Sequence, residues 1–282
     1  MTAHIRCVPQ SALADLADVP ATSRWVRSGS TRLHVLDYGG PGVPLVVIPG
    51  ITGPAVTMDF VARELTGLVR PLVLDVRGRG LSDDAGTYSL EEYAEDVESV
   101  VTGLGLDRPV LFGHSMGARI AAVAAVRGKV ALRGTVLGDP PMSGPGRGPY
   151  PTTLEAFAGQ LAQARRGTDA DEVALSWPRW PRREQELRAR WLGSCDEEAI
   201  AATHRGFERE DFFDWWPSVP GPTALLYGAD SPVVTAAGAA EAARLLPAAA
   251  LTVIPDAAHM LFWDNFPAAL AALREALRPM LT

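Results

Sequence analysis

Ser115 sits in Gly113-His114-Ser115-Met116-Gly117, with a glycine two positions away on either side. A serine hydroxyl is a weak nucleophile at its own pKa. It does chemistry only if a base takes its proton and hydrogen-bond donors receive the charge that develops on attack. Five histidines are present, His4, His34, His114, His204 and His259. His259 directly follows an apolar run near the end of the chain, the place of the base in the order serine, acid, histidine. His114 adjoins the serine but points elsewhere on a sharp bend, which suits packing, and His204 is expected to face solvent. Asp139 and Asp230 each end or follow an apolar run, in TVLGD and ALLYGAD. One carboxylate is enough to orient an imidazole. Position in that order favours Asp230 and leaves Asp139 open. Asp75 and Asp256 read as structural hydrogen-bonding residues. The loop Pro49-Gly50-Ile51-Thr52-Gly53 supplies the backbone N–H of Ile51, which with that of Met116 forms a candidate oxyanion hole. Thr52 adds a hydroxyl nearby.

These residues need a scaffold that delivers loops to one edge. LVVI from residue 45, PLVL from 71, PVLF from 109, TVLG from 135, TALLYG from 223 and LTVI from 251 are short apolar runs without polar alternation. Strands buried on both faces of a parallel sheet have that composition. Helical segments separate them: residues 60–68, 89–104 with Ser89 and Glu92 as a capping pair, the alanine-rich stretch after Ser115, 236–246 and 267–277. The first twenty or so residues form a short lead-in, and residues 25–37 read as a two-stranded start. Regular alternation predicts an α/β fold, a mostly parallel sheet with helices on both faces. The rhythm breaks at PPMSGPGRGPYP, residues 140–151, and the segment from Thr152 to about Asp214 is helical, charged and rich in tryptophan. The expected division is a core of residues 1–139 and 218–282 with a helical cap inserted at 140–217. On this scaffold the serine follows a strand and opens a helix, the setting of a nucleophile elbow. Its flanking glycines let chain segments approach closely.

The chain has 282 residues, 47% hydrophobic, with a formal net charge of -7. Mild acidity argues against a nucleic-acid partner, which would require clustered basic residues. The run Arg179, Arg182, Arg183 is broken by Trp180 and Pro181 and reads as a solvated helix start. PGITGPA lacks the lysine of a phosphate-binding P-loop, and RGRG is not a dinucleotide fingerprint. Two cysteines, Cys7 and Cys195, are too few for a zinc cluster and suit a reducing compartment. No signal peptide and no membrane-spanning run is evident. The expectation is a cytoplasmic protein acting on a small molecule, with no metal, no cofactor, no nucleic-acid or membrane partner and no predicted oligomeric state.

The motifs PGITG, LDVRGRGLSD, GHSMGA and AAHM resemble the α/β-hydrolase superfamily along essentially the whole chain. The likeness continues through GDPPMSGPGRGPYP and EQELRARWLGSCDEEAI into a branch of small-amide deformylases. Cap segments shape substrate pockets, so this part of the resemblance implies cleavage of a formamide-type C–N bond in a small carboxylated amide. It also implies that the acid follows the sixth strand, which is Asp139 here, although this chain also carries Asp230. A carboxylated substrate calls for polar anchors, and Arg119, Arg147 and Tyr150 are the candidates, with Thr52. Trp177, Trp180, Trp191, Trp215 and Trp216 read mostly as packing between cap and core. Two other readings use the same residues: a carboxylesterase or lactonase, and a non-catalytic binding protein on the same fold.

Overall fold

The computed structural model describes residues 6–282, and His4 lies outside them. Among the described residues, eight strands form one sheet: β1 (Thr22–Ser28), β2 (Thr31–Asp37), β3 (Pro44–Ile48), β4 (Arg70–Leu74), β5 (Val110–His114), β6 (Gly134–Gly138), β7 (Thr223–Gly228) and β8 (Ala250–Ile254). Their order is β1-β2-β4-β3-β5-β6-β7-β8. The first hairpin and the β2–β4 pairing are antiparallel, and every pairing from β4 to β8 is parallel. Among the described residues the helices are α1 (Gln10–Asp18), α2 (Asp59–Arg63), α3 (Leu90–Gly103), α4 (Met116–Arg127), α5 (Leu154–Arg166), α6 (Ala170–Ser176), α7 (Arg182–Trp191), α8 (Glu197–Arg209), α9 (Ala236–Leu245), α10 (Leu261–Asp264) and α11 (Phe266–Leu277).

Because successive strand residues face opposite sides, the sheet divides the apolar interior in two. Val46, Ile48, Leu72, Leu74 and Leu111 pack on one face with α3, α4 and α9. Leu45, Val47, Val73, Val110 and Phe112 pack on the other with α2 and α11. This two-sided burial explains the uniformly apolar strands, and the α/β fold is as expected. α3 begins at the predicted place, with the Ser89 hydroxyl accepting from Glu92 N and the Glu92 carboxylate accepting from Ser89 N.

The predicted helix at 60–68 is shorter. A 3-10 turn over Ala55–Met58 precedes α2, and α2 ends at Arg63. Leu65 N then bonds back to Ala62 O at 3.0 Å, three residues away, which tightens the chain into a turn before β4. Between β6 and β7 lie α5 to α8, which stand over the carboxyl ends of the central strands. Arg182 opens α7 with its side chain about half exposed and paired with Asp171, in line with the solvated helix start. No helix of the described residues is long and apolar enough to cross a membrane.

Candidate active site

β5 runs straight into α4, and Ser115 at the junction has φ 56° and ψ -119°. A non-glycine residue there is strained by roughly 1–3 kcal/mol, held by its surroundings. Its neighbours leave no alternative. A Cβ on Gly113 would lie 2.0 Å from Gly117 O, and one on Gly117 would lie 1.9 Å from Ile48 O. The glycines are therefore required by contact between β3, β5 and the first turn of α4. Ser115 N donates to Gly138 O at 2.8 Å, which pins the bend to the end of β6.

Around the bend, His259 Nε2 accepts from Ser115 Oγ at 2.9 Å, and His259 Nδ1 donates to Asp139 Oδ2 at 2.7 Å. Asp139 follows β6, is fully buried and also has a positive φ, 46°. Its Oδ2 accepts from Ser231 Oγ at 2.6 Å and its Oδ1 from Gly228 N at 3.1 Å. With three donors on its two oxygens, the carboxylate is fixed in place. Asp230 is exposed, and its backbone N–H bonds to Ala257 O. The structure thus brings Asp139, and not Asp230, to the imidazole. Ser231, next to Asp230, is a support that the sequence pattern does not reveal; no local motif marks it.

His114 lies beneath His259, with ring centroids 5.2 Å apart, and its Nε2–H donates to the His259 carbonyl at 2.9 Å. Burial, helped by the nearby His259, lowers its pKa to about 3, so it is a neutral packing residue at ordinary pH. His34, at the far edge, is paired with Asp75 at 2.7 Å. Asp75 also accepts from Ala55 N and Leu81 N and so ties the loops after β3 and β4 together, the structural role expected of it. His204 departs from expectation. It is only 4% exposed, its Nε2 meets Thr152 O at 2.9 Å, and it packs against Tyr150 and Phe157. α5 covers the face of α8 that carries it, so the side chain never reaches solvent.

The loop after β3 brings Ile51 beside the serine. Neither Ile51 N nor Met116 N donates a hydrogen bond to any described residue. Two arginines hold the carbonyls of this loop. Arg79 Nε donates to Ile51 O at 3.1 Å, and Arg188 Nη1 donates to Thr52 O at 3.0 Å and Thr52 Oγ1 at 2.7 Å. The Ile51 N–H shares its peptide plane with the Gly50 carbonyl, which accepts from Gly53 N at 3.0 Å, so the turn is held on that side as well.

Over Ser115 lies a cavity of about 100 Å³. At roughly 10–15 Å³ for each water-sized group, it takes on the order of seven to ten non-hydrogen atoms. Thr52 and Tyr150 line it as expected, and the Tyr150 hydroxyl is 3.4 Å from His259 Nε2. Burial raises the pKa of Tyr150, so it remains a donor. Arg119 and Arg147, anticipated at the substrate, are not in this cavity wall. Arg119 lies under α8, donating to Glu210 O at 2.8 Å between the rings of Phe207 and Trp215. Arg147 is drawn to Asp211 and Glu241, with its guanidinium 4.2 Å from the Phe213 ring. Acidic partners and aromatic faces solvate both cations where they stand.

The wall is instead built from residues that the sequence does not single out for binding. Trp177 and Trp180 stack at 4.8 Å, and Trp180 stacks on Trp263 at 5.2 Å. Arg188 and Glu184 of α7 complete the side facing Thr52. Trp191 and Trp216 are fully buried packing residues, as anticipated for most of the cap tryptophans.

The sequence model of the alpha/beta hydrolase family matches residues 45–273. The chain is 38% identical over 254 residues to N-formylmaleamate deformylase of Pseudomonas putida, spanning 89% of this chain and 95% of the relative. It is 30% identical to 2-(acetamidomethylene)succinate hydrolase of Mesorhizobium japonicum, over 87% and 91% of the two chains. The solved N-formylmaleamic acid deformylase of Pseudomonas putida S16 superposes with a TM-score of 0.85 at 36% identity, covering 89% of this chain and 100% of that one. With its family motifs spread from the loop after β3 to the turn before α10, the chain belongs to the alpha/beta hydrolase family and is closely related to N-formylmaleamate deformylase.

Proposed function

We propose that the protein is an amidohydrolase that cleaves the formyl C–N bond of N-formylmaleamate, releasing formate and maleamate. The observation that carries this reading is the hydrogen-bonded series Ser115–His259–Asp139 opening onto a small cavity. Likeness to the Pseudomonas putida deformylase supplies the substrate. A cavity of about 100 Å³ suits such a short amide.

In this mechanism Ser115 Oγ bonds to the formyl carbon as its proton passes to His259 Nε2. Asp139 holds the imidazole in the Nδ1–H tautomer and stabilises the imidazolium. The tetrahedral oxyanion lies against the N–H groups of Ile51 and Met116, each contributing about 2.7–4 kcal/mol to the transition state. His259 returns the proton to nitrogen as the C–N bond breaks and maleamate leaves. Water then adds to the formyl ester, giving its proton to His259, and collapse frees formate as His259 returns that proton to Ser115 Oγ. Thr52 and Tyr150 lie against the bound substrate. Residues 140–217 serve as the cap over a core of 1–139 and 218–282. The free thiols of Cys7 and Cys195 agree with a cytoplasmic site of action.

The test is a substrate panel on the purified protein: N-formylmaleamate, its N-acetyl counterpart, short esters and lactones. The expected result is formate release from N-formylmaleamate as the fastest reaction. Rapid ester or lactone turnover with no formate would replace this reading with an esterase or lactonase.

A further inference from the structure

We propose that Arg188 is the anchor for a substrate carboxylate and makes the site selective for monocarboxylated amides. The inference rests on the reading of the site as an amide hydrolase, and on an unusual state of one guanidinium.

Arg188 projects from α7 into the wall of the cavity above Ser115, and it is 8% exposed. A charge that well buried is expected to have an acidic partner. Arg188 forms no ion pair among the described residues; its bonds go to Thr52 O, Thr52 Oγ1 and Gln160 Oε1, all neutral. Burial lowers its pKa, but only to about 10, so it remains a cation at neutral pH. The one acidic side chain in the wall does not compensate it, because the Glu184 carboxylate is tied at 2.8 Å to Arg183.

The donor left over is the right one. Nη1 bonds to Thr52 O and Oγ1 and Nη2 to Gln160 Oε1, which leaves the Nε–H, on the Nε and Nη2 edge, without a partner among the described residues. That Nε and Nη2 edge is the fork by which Arg70 holds Asp37, Arg77 holds Asp96 and Arg190 holds Asp15 elsewhere in this chain. A planar fork of two N–H groups matches the two oxygens of a carboxylate. Arg79 gives the contrast. It is equally buried without an acid, yet its Nε, Nη1 and Nη2 groups all reach protein acceptors, so it has nothing to offer a ligand.

Position adds to chemistry. Arg188 bonds to Thr52, the residue after Ile51, whose N–H is the candidate oxyanion donor. Arg188, Ile51 and Ser115 line the same cavity, so a carboxylate on this edge shares that space with the reacting carbonyl. The substrate is therefore short, with its carboxylate a few bonds from the scissile carbonyl. One wall residue then both braces the oxyanion loop and holds the end of the substrate remote from the reaction.

The test compares maleamate with its uncharged counterpart maleamide, by quenching of the tryptophans in the cavity wall, in wild-type protein, Arg188→Met and Arg188→Lys. This readout needs no turnover. Wild type is expected to bind maleamate at least on the order of tenfold tighter than maleamide. Arg188→Met should abolish that preference, and Arg188→Lys, which keeps charge without the fork, should retain part of it. In parallel, kcat/KM for N-formylmaleamate should fall on the order of a hundredfold in Arg188→Met, through KM as the anchor is lost and through kcat as the oxyanion loop loses its brace. Equal binding of the two ligands by wild type, or an unchanged preference in both variants, would overturn the proposal. A wild-type protein that prefers maleamate but does not cleave N-formylmaleamate would keep the anchor and reject the deformylase reading.

Discussion

Replacing Asp139 by asparagine keeps shape and size but changes which atoms can accept. In the native site Oδ1 accepts from Gly228 N at 3.1 Å, and Oδ2 accepts from His259 Nδ1 and Ser231 Oγ at 2.7 and 2.6 Å. An asparagine must place its NH2 at one of these positions. Against Gly228 it would meet a backbone N–H, which can only donate. Against His259 and Ser231 it meets two groups that can also accept, so the NH2 settles there. His259 Nδ1 then becomes the acceptor, and the ring proton moves to Nε2, where it blocks transfer from Ser115. Holding the histidine in the wrong tautomer costs about 10⁴-fold in kcat, equivalent to about 5.5 kcal/mol at 1.36 kcal/mol per decade. The positive φ of 46° at this residue is one that asparagine tolerates, so the fold should survive. The assay is formate release at neutral pH, with thermal unfolding as the control for folding. Asp230→Asn, exposed and far from the imidazole, should stay within about twofold. A loss below tenfold for Asp139→Asn, with a large loss for Asp230→Asn, would refute this reasoning.

Gly117→Ala would place a Cβ 1.9 Å from Ile48 O and should cost more than about 4 kcal/mol in urea unfolding, whereas Gly148→Ala, with no atom within 4 Å, should shift it little. His114, with its pKa lowered to about 3 by burial, binds fewer protons folded than unfolded between pH 3 and the ordinary value of 6.5. Stability should therefore fall as pH drops through that window, by about 2 kcal/mol from pH 7 to 5 through this group alone. Urea titrations at the two pH values should show that loss shrinking in His114→Asn, and an unchanged pH slope would contradict it.

The parts of the site that a sequence can show are those fixed by backbone contact. Gly113 and Gly117 are demanded by atoms about 2 Å from where a side chain would begin, and such a demand leaves a motif. Strands buried on both faces likewise leave uninterrupted apolar runs. The position of the acid leaves two candidates, because Asp139 and Asp230 both follow strands whose ends lie side by side; the choice depends on Ser231 and Gly228, which no motif marks. The cavity wall is the least legible part. α7 is rich in charge and has the composition of a solvated face, yet Glu184, Gln185 and Arg188 are buried against the core loop and the rest of the cap. That burial is a long-range packing event, invisible to helical periodicity. His204 defies its expected exposure for the same reason, since α5, which covers it, lies far away in sequence.

The central claim is that Ser115, activated by His259, removes the formyl group of N-formylmaleamate. Formate and maleamate released by wild type and by Ser115→Ala, measured side by side on folded protein, test it most directly. Wild type should produce the two in equal amounts, and Ser115→Ala should be slower by on the order of a millionfold. Formate release at the wild-type rate by Ser115→Ala, or none from the folded wild-type protein, would contradict it.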